Sequence, residues 1–478
     1  MSFAGSINAA LSGLSVAAKR AEVVSSNVAN AQTDGYGRRS LVVVGAQLGG
    51  VRAAGVVRHM DMGIVSDRRL AEADMSASEQ SAGFLDRLNR LIGEVGETGS
   101  LTSMLTGVEK ALVQASADPS SDSRLTTVLD EMKRLTGAVR TTSDGIQAMR
   151  AEVDQMVADQ VETLNEELQR VAKINSDIQA FRNNGIDPSS LFDLRQISVD
   201  AISSIVPVRE LNRGEGRVAL MTPSGQMLLD MQAVEVGFTP VTTIVADMTF
   251  ASGALSGLTI DGDPVAGGGA AGKLAGGTLG GALSLRDDTL PAIQSELDAF
   301  ARDLVERFSD PAADPTLLPG DTGLFTDAGG AFDPLDTDGL SGRISVNALI
   351  DPASGGSVSR IRDGLNAATV GPVGSSTQIE RLIDRFQAPR ATHLGIEERS
   401  VAGHLSAFYS DVGTRRFTID TDLAFQSAKW ESLKSAELSK GVDTDEEMQS
   451  LMLIEQSYAA NARVLETIDT LTKRLLEI

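Results

Sequence analysis

The two ends of this chain constrain it most. Residues 2–31 and 445–477 read as uninterrupted amphipathic helices whose mostly apolar stripe advances by three and four residues. At the front the series is Ile7, Leu11, Leu14, Ala18, Ala21, Ser25 and Val28. At the back it is Leu451, Ile454, Tyr458, Asn461, Leu465, Ile468, Thr472 and Leu475. Such steps average about 3.5 residues, the period of a coiled-coil seam. Each stripe is narrow, the front one is rich in alanine, and an isolated helix with so small a face is marginal in water. Neither stripe has a partner in its own neighbourhood, so each is the natural partner of the other. The termini are expected to meet with everything else looped out between them, and the same stripes are available to join one copy to the next. Asn461 in a seam position points to control of register at some cost in stability.

What lies between must fold without many aromatic residues. The 478 residues are 42% hydrophobic but only 4% aromatic, with a single tryptophan, Trp430. Cores are therefore built from Leu, Val, Ile and Ala, and the length calls for more than one domain. The balance of 42 basic against 65 acidic residues gives −23. That speaks against nucleic acid or an anionic membrane as partner, since both need a basic face. No run approaches the roughly 18 apolar residues of a membrane span, and no basic n-region with an apolar core marks a secretory signal. The absence of cysteine excludes a disulfide framework.

Along the chain, Thr33-Asp34-Gly35 closes the first helix with residues that accept the left-handed region. Short strands are expected at 41–44 and 51–59, then helices at 66–92 and 102–117. The longest helical pattern runs from Ser121 to Phe181, with Gly137 and Gly145 expected to break it near its front. A helix from Leu191 to Ile205 follows, Ser190 being its expected cap. From Val206 the pattern alternates, and four strands are expected before the glycine-rich stretches near 267 and 276, which read as flexible loop. Helix returns at 286–308 and over most of 376–440.

Chemistry-bearing constellations are scarce. His59 is remote in sequence, and His393 and His404 share a face only if one straight helix holds both; none has an acidic or sulfur partner at a metal-ligand spacing. Thr222-Pro223-Ser224-Gly225 reads as a hairpin turn rather than a nucleophile elbow. The glycine runs lack the Gly-Lys-Ser/Thr of a phosphate loop; Lys273 is followed by Leu274. The stretch around Asp336, Asp338 and Gly339 resembles a calcium loop but carries Pro334 and Ser345 where carboxylates are needed. No catalytic, cofactor-binding or metal-ligating residue is assigned.

The run Leu11-Ser12-Gly13-Leu14, with Ser25-Ser26-Asn27-Val28-Ala29-Asn30-Ala31-Gln32-Thr33-Asp34-Gly35-Tyr36, resembles the N-terminal signature of the flagellar rod, hook and hook-associated proteins. Gly441 to Met448 and Glu455 to Val464 resemble the closing helix of that axial family, most closely its hook-associated branch. Gly276 to Leu283, before Leu285-Arg286-Asp287, resembles the glycine-rich entry to an internal helix of the same branch. The pattern departs at Asp34, where the family commonly has Pro, and at Gly37, where it has Ser.

The resemblance implies a non-enzymatic structural subunit at the hook–filament junction, polymerising through terminal helices that order on assembly. It implies export without a cleaved signal to the flagellum outside the cell. The implied partners are further copies of the chain, hook protein, a second junction protein and an export chaperone on the C-terminal helix, with neither nucleic acid nor membrane insertion. A hook or rod protein is the alternative; the long helix to Phe181 and the segment 276–287 speak against it. A secreted enzyme or adhesin with flagellar ends needs a polar constellation between 206 and 376, and none is found.

The expected fold is mainly α, with paired coiled-coil-like terminal helices, a long-helix bundle and a small β-rich inserted domain. The expected division is 1–40 with 442–478 as the terminal assembly domain and 41–205 with 282–310 and 376–441 as the bundle. Residues 206–281 form the β insert and 311–375 a loop-rich insertion. The expected assembly residues are Ile7, Leu11, Leu14, Ala18, Ala21, Val28, Asn30, Leu451, Ile454, Tyr458, Asn461, Leu465, Ile468 and Leu475.

Overall fold

The computed structural model describes residues 3–47 and 49–476; positions 2 and 477 of the expected terminal helices lie outside them. The chain opens with α1 (Phe3–Ala29) and the antiparallel hairpin β1 (Arg38–Gly45) and β2 (Val51–His59). Then come α2 (Met62–Ile92), α3 (Leu101–Ala117), the 62-residue α4 (Asp122–Asn183) and α5 (Ser189–Ile205). Two small antiparallel sheets follow: β3 (Arg209–Asn212), β4 (Val218–Met221) and β5 (Met227–Leu229), then β6 (Val236–Gly237), β7 (Thr259–Ile260) and β8 (Asp263–Pro264). Next, α6 (Gly277–Ser284) runs through one π turn into α7 (Leu290–Ser309). The stretch β9 (Phe325–Asp327), α8 (Leu340–Arg343), β10 (Ile344–Val346) and α9 (Arg360–Asp363) leads to α10 (Thr377–Gln387). A two-residue ladder, β11 (Arg390–Ala391) with β12 (Glu398–Arg399), precedes α11 (Val401–Ser439) and α12 (Thr444–Leu476).

The fold is mainly α, and its centre is α4. The three-and-four series Ile146, Met149, Val153, Val157, Val161, Leu164, Leu168, Val171, Ile174 and Ile178 is buried throughout. It meets Leu88 of α2, Leu112 of α3, Ile202 of α5 and Leu297 of α7 in one continuous apolar core. Val218 and Leu220 of β4 and Leu228 and Leu229 of β5 belong to that same core.

Neither Gly137 nor Gly145 breaks α4. Each glycine costs a helix interior about 1 kcal/mol relative to Ala, less than the packing of neighbouring turns supplies. At Gly145 a Cβ would collide with Leu91, so the glycine admits α2. The run near 276 is not flexible loop either. Gly277 starts α6 at φ +61°, with the Ile205 carbonyl where a Cβ would sit, and a Cβ on Gly281 would lie 3.2 Å from that of Ala77. The glycines are close-approach points between α6 and its neighbours α5 and α2. Ser190 does not cap α5; the Asp187 carboxylate accepts from the Ser189 amide at 3.1 Å and its hydroxyl at 2.7 Å. His393 lies between β11 and β12 and His404 in α11, so they share no helix. His59 Nε2 pairs with Ser40 Oγ at 2.7 Å. Among the described residues no group of three or more His, Asp or Glu side chains is placed to hold a metal.

Buried charge locks the core's polar seams. Arg286 and Asp154, both fully buried, pair at 2.5 Å, and Arg286 also pairs with Asp287 at 2.8 Å. The second Asp154 oxygen accepts from the Val241 amide at 2.6 Å, and Arg150 donates to the carbonyls of Met248 and Arg286 at 2.6 and 3.1 Å. These contacts fasten the irregular segment 238–256 onto α4.

Where α7 meets α11, Glu296 and Asp411 face each other with Arg415 between them. Burial, and then the neighbouring Asp411 carboxyl, raise Glu296 to about 7. A carboxyl raised above its unfolded value stabilises fully below that unfolded value, and the contribution is lost as pH rises through the folded one. Stability from this contact is therefore expected to fall between about pH 4.5 and 7. Glu296→Gln should flatten that part of a denaturation-midpoint profile, and an unchanged profile refutes the assignment.

Candidate assembly surface

The terminal module is built on α1, the β1–β2 hairpin and α12. The two helices pack together and run antiparallel: Gly13 faces Asn461, while Arg38, beyond the end of α1, pairs with Glu446 at 3.0 Å and Glu447 at 2.8 Å at the start of α12. A Cβ at Gly13 would lie 2.8 Å from the Asn461 amide. Gly13 is thus a notch that receives Asn461, whose Nδ2 also donates to the Ser457 carbonyl at 2.9 Å.

The turn after α1 is held by one buried side chain. Asn27 is fully buried; its Oδ1 accepts from the Arg39 amide at 3.0 Å and from the Tyr36 hydroxyl at 2.9 Å, and its Nδ2 donates to the Arg39 carbonyl at 2.8 Å. Arg39 stacks 4.8 Å above the Tyr36 ring. The Ser-Asn…Gly-Tyr run thereby becomes a clasp that sets the angle at which β1 leaves α1. Removing a buried side chain that satisfies several polar groups costs about 1–3 kcal/mol for each group left unpaired. Asn27→Ala is expected to speed exchange of the Arg39 amide by roughly tenfold or more, read by hydrogen-exchange mass spectrometry.

A joint of charged groups ties this module to the body. Asp193 of α5 accepts from the Gly37 amide at 3.1 Å and pairs with Arg58 of β2 at 2.7 Å and with Arg39. Arg58 also donates to the Gly35 carbonyl at 2.9 Å and to Gln196 at 2.5 Å. Burial pushes the Arg58 guanidinium down, and Asp193 opposes that shift. Behind them Arg68 of α2 binds Glu437 of α11 at 2.6 Å and Asp200 of α5 at 2.7 Å, and Arg69 reaches Asp200 and Glu210. Hairpin, α2, α5 and α11 thus converge on one alternation of guanidinium and carboxylate.

The expected assembly residues fall on more than one face. In α1 the face turned inward is Ala10, Gly13, Ala17, Val24 and Asn27, offset by roughly a quarter turn from the expected series. Ile7, Leu14, Ala21 and Val28 are half-buried at its margin, and Leu11 and Ala18 are exposed. Asn30 braces its own turn, donating to the Ser26 carbonyl at 2.9 Å. In α12, Ile468 is buried, Leu451, Ile454, Asn461 and Leu465 are half-buried and Tyr458 is exposed. The side chain of Leu475 lies outside the described residues. The periodicity gave no sign of Asp193, Arg58 or Arg68, because their partners lie far away in sequence. Asn27 stood inside the quoted motif, and its position six residues before the Thr-Asp-Gly stop was the available signal.

A groove of ≈ 440 Å³ opens between α1, α12 and the hairpin, lined in part by Val16, Val23, Leu41, Val43, Leu453 and Ile454. The surface offers apolar contact and helix edges. Among the described residues no helix is long and apolar enough to cross a membrane.

Three family models match successive parts of the chain. The family model described as "Flagellar hook-associated protein FlgK helical domain" matches residues 85–325. Those described as "Flagella basal body rod protein" and "Flagellar basal body rod FlgEFG protein C-terminal" match 7–36 and 439–478. The chain is 23% identical to flagellar hook-associated protein 1 of Salmonella typhimurium over 566 aligned positions, covering 99% of each chain. It is 21% identical to the protein of that name from Bacillus subtilis, covering 94% of this chain and 93% of the relative. Among solved structures, the flagellar hook junction protein FlgK from Burkholderia pseudomallei matches at a TM-score of 0.44 and 18% identity, over 55% of this chain and 46% of that one.

Proposed function

The chain belongs to the family of flagellar hook-associated protein FlgK, and from that premise we propose how it works as a structural subunit of the bacterial flagellum at the hook–filament junction. The observation that carries this reading is the combination of matches: the FlgK helical domain over 85–325, flanked at both ends by segments shared with rod proteins. The ends are common to the axial family; the centre separates this chain from hook and rod proteins. Its relatives are flagellar structural proteins, and the reading assigns the chain no reaction.

Assembly proceeds through the terminal module. Fixing a residue's backbone costs about 1–2 kcal/mol, and burying a Leu or Ile fully returns about 1.5–3 kcal/mol. One α1–α12 pair leaves much of its apolar surface half-covered, so it gains most of its stability only when neighbouring copies cover the rest. Of the 14 residues from Ile7 to Leu475 named as assembly positions, Asn30 braces the turn after α1, and the others act in two groups, those that close the pair and those that meet a neighbour. Residues 1–40 with 442–478 form the axial module, extended by the rest of the β1–β2 hairpin to His59, and the body, divided at 206, 282, 311 and 376, lies outside it. Partners follow from the position: further copies, hook protein, the second junction protein, and an export chaperone that shields α12 before assembly. The chain's place is the flagellum, as an exported axial component.

Electron microscopy of cells lacking this gene, with the medium probed for monomeric filament protein, tests the reading. Hooks without filaments and filament protein lost to the medium are expected. Loss of hooks would move the chain to the hook or rod class, and normal flagella would overturn the role.

A further inference from the structure

Helix α11 is anchored in the body at its start and then leaves it. Val401, Leu405, Phe408 and Val412 are buried in the common core, and no described residue of the helix after Val412 is buried. The change falls at the seam with α7, and two cavities border it. One, of ≈ 280 Å³, is lined by Phe300 of α7, Phe408 of α11 and Leu394 of the strap between β11 and β12. The other, of ≈ 390 Å³, is lined by Leu285 and Thr289 on one wall and Thr414 and Thr418 on the other. Glu296 and Asp411 line the first cavity and Arg415 the second. Arg415 serves two carboxylates: it reaches Glu296 at 3.3 Å and also pairs with Asp411. The remaining charged groups on the first cavity are engaged elsewhere. Arg399 pairs with Glu397 on the strap, and His404 Nε2 donates to the Arg390 carbonyl at 2.6 Å.

Two facing carboxylates repel, whereas a carboxyl bonded to a carboxylate holds. We propose that Glu296, Asp411 and Arg415 form a proton-operated clasp at the point where α11 leaves the body: protonated Glu296 donates to the Asp411 carboxylate and keeps the seam shut, and loss of that proton lets α7 and α11 part. The cavities supply the room, since a close-packed seam resists displacement. Burial, and then Asp411, place the change at about pH 7, so the clasp is shut below that value and open above it. The helix stays on α2 throughout. The Tyr409 hydroxyl donates to the Ile92 carbonyl at 2.7 Å, and Arg416 pairs with Asp86 at 2.9 Å. The parting is therefore a rocking of α11 on α2. That pair of helices is the link to the terminal module, because α2 follows the hairpin directly and α11 directly precedes α12. Alkaline surroundings loosen the body's hold on the link, and acid ones tighten it.

The chain has no cysteine, so two introduced thiols carry spin labels without background. Ser284→Cys with Thr418→Cys sets exposed labels on opposite walls of the second cavity. Their separation in the purified full chain is read by double electron–electron resonance one unit below and one unit above about pH 7. The distance distribution is expected to be longer and broader on the alkaline side. Adding Glu296→Gln, whose amide still donates to Asp411 but cannot ionise, should keep the short distance at both values. Adding Asp411→Asn removes the facing charge and should move the transition to lower pH, which gives a second readout if the glutamine variant does not fold. Equal distributions at the two pH values overturn the clasp, as does a shift that persists with Glu296→Gln. The measurement needs no flagellum, so its failure leaves the junction role standing, and loss of that role leaves the clasp standing.

Discussion

Replacing Leu465 or Ile468 with aspartate is expected to exclude the chain from hooks while its body stays folded. Ile468 is buried and Leu465 half-buried in the α1–α12 seam. Ile468 loses about 1.5–3 kcal/mol of apolar burial and Leu465 roughly half of that, and each gains a carboxylate that has no partner there. Since about 1.4 kcal/mol is a factor of ten, incorporation should drop by well over tenfold. The helical body rests on the core around α4, which neither residue touches, so circular dichroism and the main denaturation transition should be unchanged. Immunogold counts on hooks of the variant strain decide the matter, and counts equal to the unmodified strain would remove the seam from the mechanism.

The second large effect is expected at the joint. Asp193→Ala leaves Arg39 and Arg58 facing one another without their shared carboxylate and strips the Gly37 amide of its acceptor. All three side chains are largely buried, the exposed fraction being 14% for Asp193 and Arg58 and 16% for Arg39. Breaking a pair of that kind by removing one partner costs about 3–5 kcal/mol, because the stranded charge remains. Loss is expected to appear as release of the terminal module: limited proteolysis should cut between 31 and 60 long before it cuts α4. A cleavage pattern identical to that of the unmodified chain would mean that α2 with α11 carries the attachment and Asp193 does not. The conservative Asp193→Glu should recover part of the protection, since a carboxylate remains within reach.

The helices were legible because their apolar residues repeat locally. The series from Ile146 to Ile178 predicts α4 and its buried face together, and the terminal series predict α1 and α12. What periodicity left open is which face of a weakly patterned helix turns inward. In α1 the small residues Ala10, Gly13 and Ala17 pack inward while the larger Leu11 is left outside. The reason is Asn461: close approach of two helices at a glycine notch outweighs the burial of one leucine. The glycines misled for a related reason. Gly137 and Gly145 were expected as breaks, and Gly276-Gly277 as slack, because a glycine's intrinsic preference is visible in sequence and the neighbour it accommodates is not. The joint was invisible throughout. Arg58, Arg68 and Asp193 are ordinary charged residues on helices and strands, and only the fold brings them together.

The length of α4 has a mechanical consequence. At about 1.5 Å per residue an unbroken helix of 62 residues spans about 93 Å. With α3, α5 and α7 bonded along it, the body behaves as a stiff beam, lacking a glycine break at which it could fold over. Its C-terminal end leads within ten residues to Asp193, and Arg195 just beyond is tied back to Asn175 of the beam at 3.0 Å. A sideways load on the body therefore reaches the joint almost undiminished. There it meets contacts between guanidinium and carboxylate, which can exchange partners in small steps without opening an apolar core. Compliance is concentrated at the boundary between axial module and body. Under such a load the body tilts about this joint while the packing of α1 on α12 stays as it is.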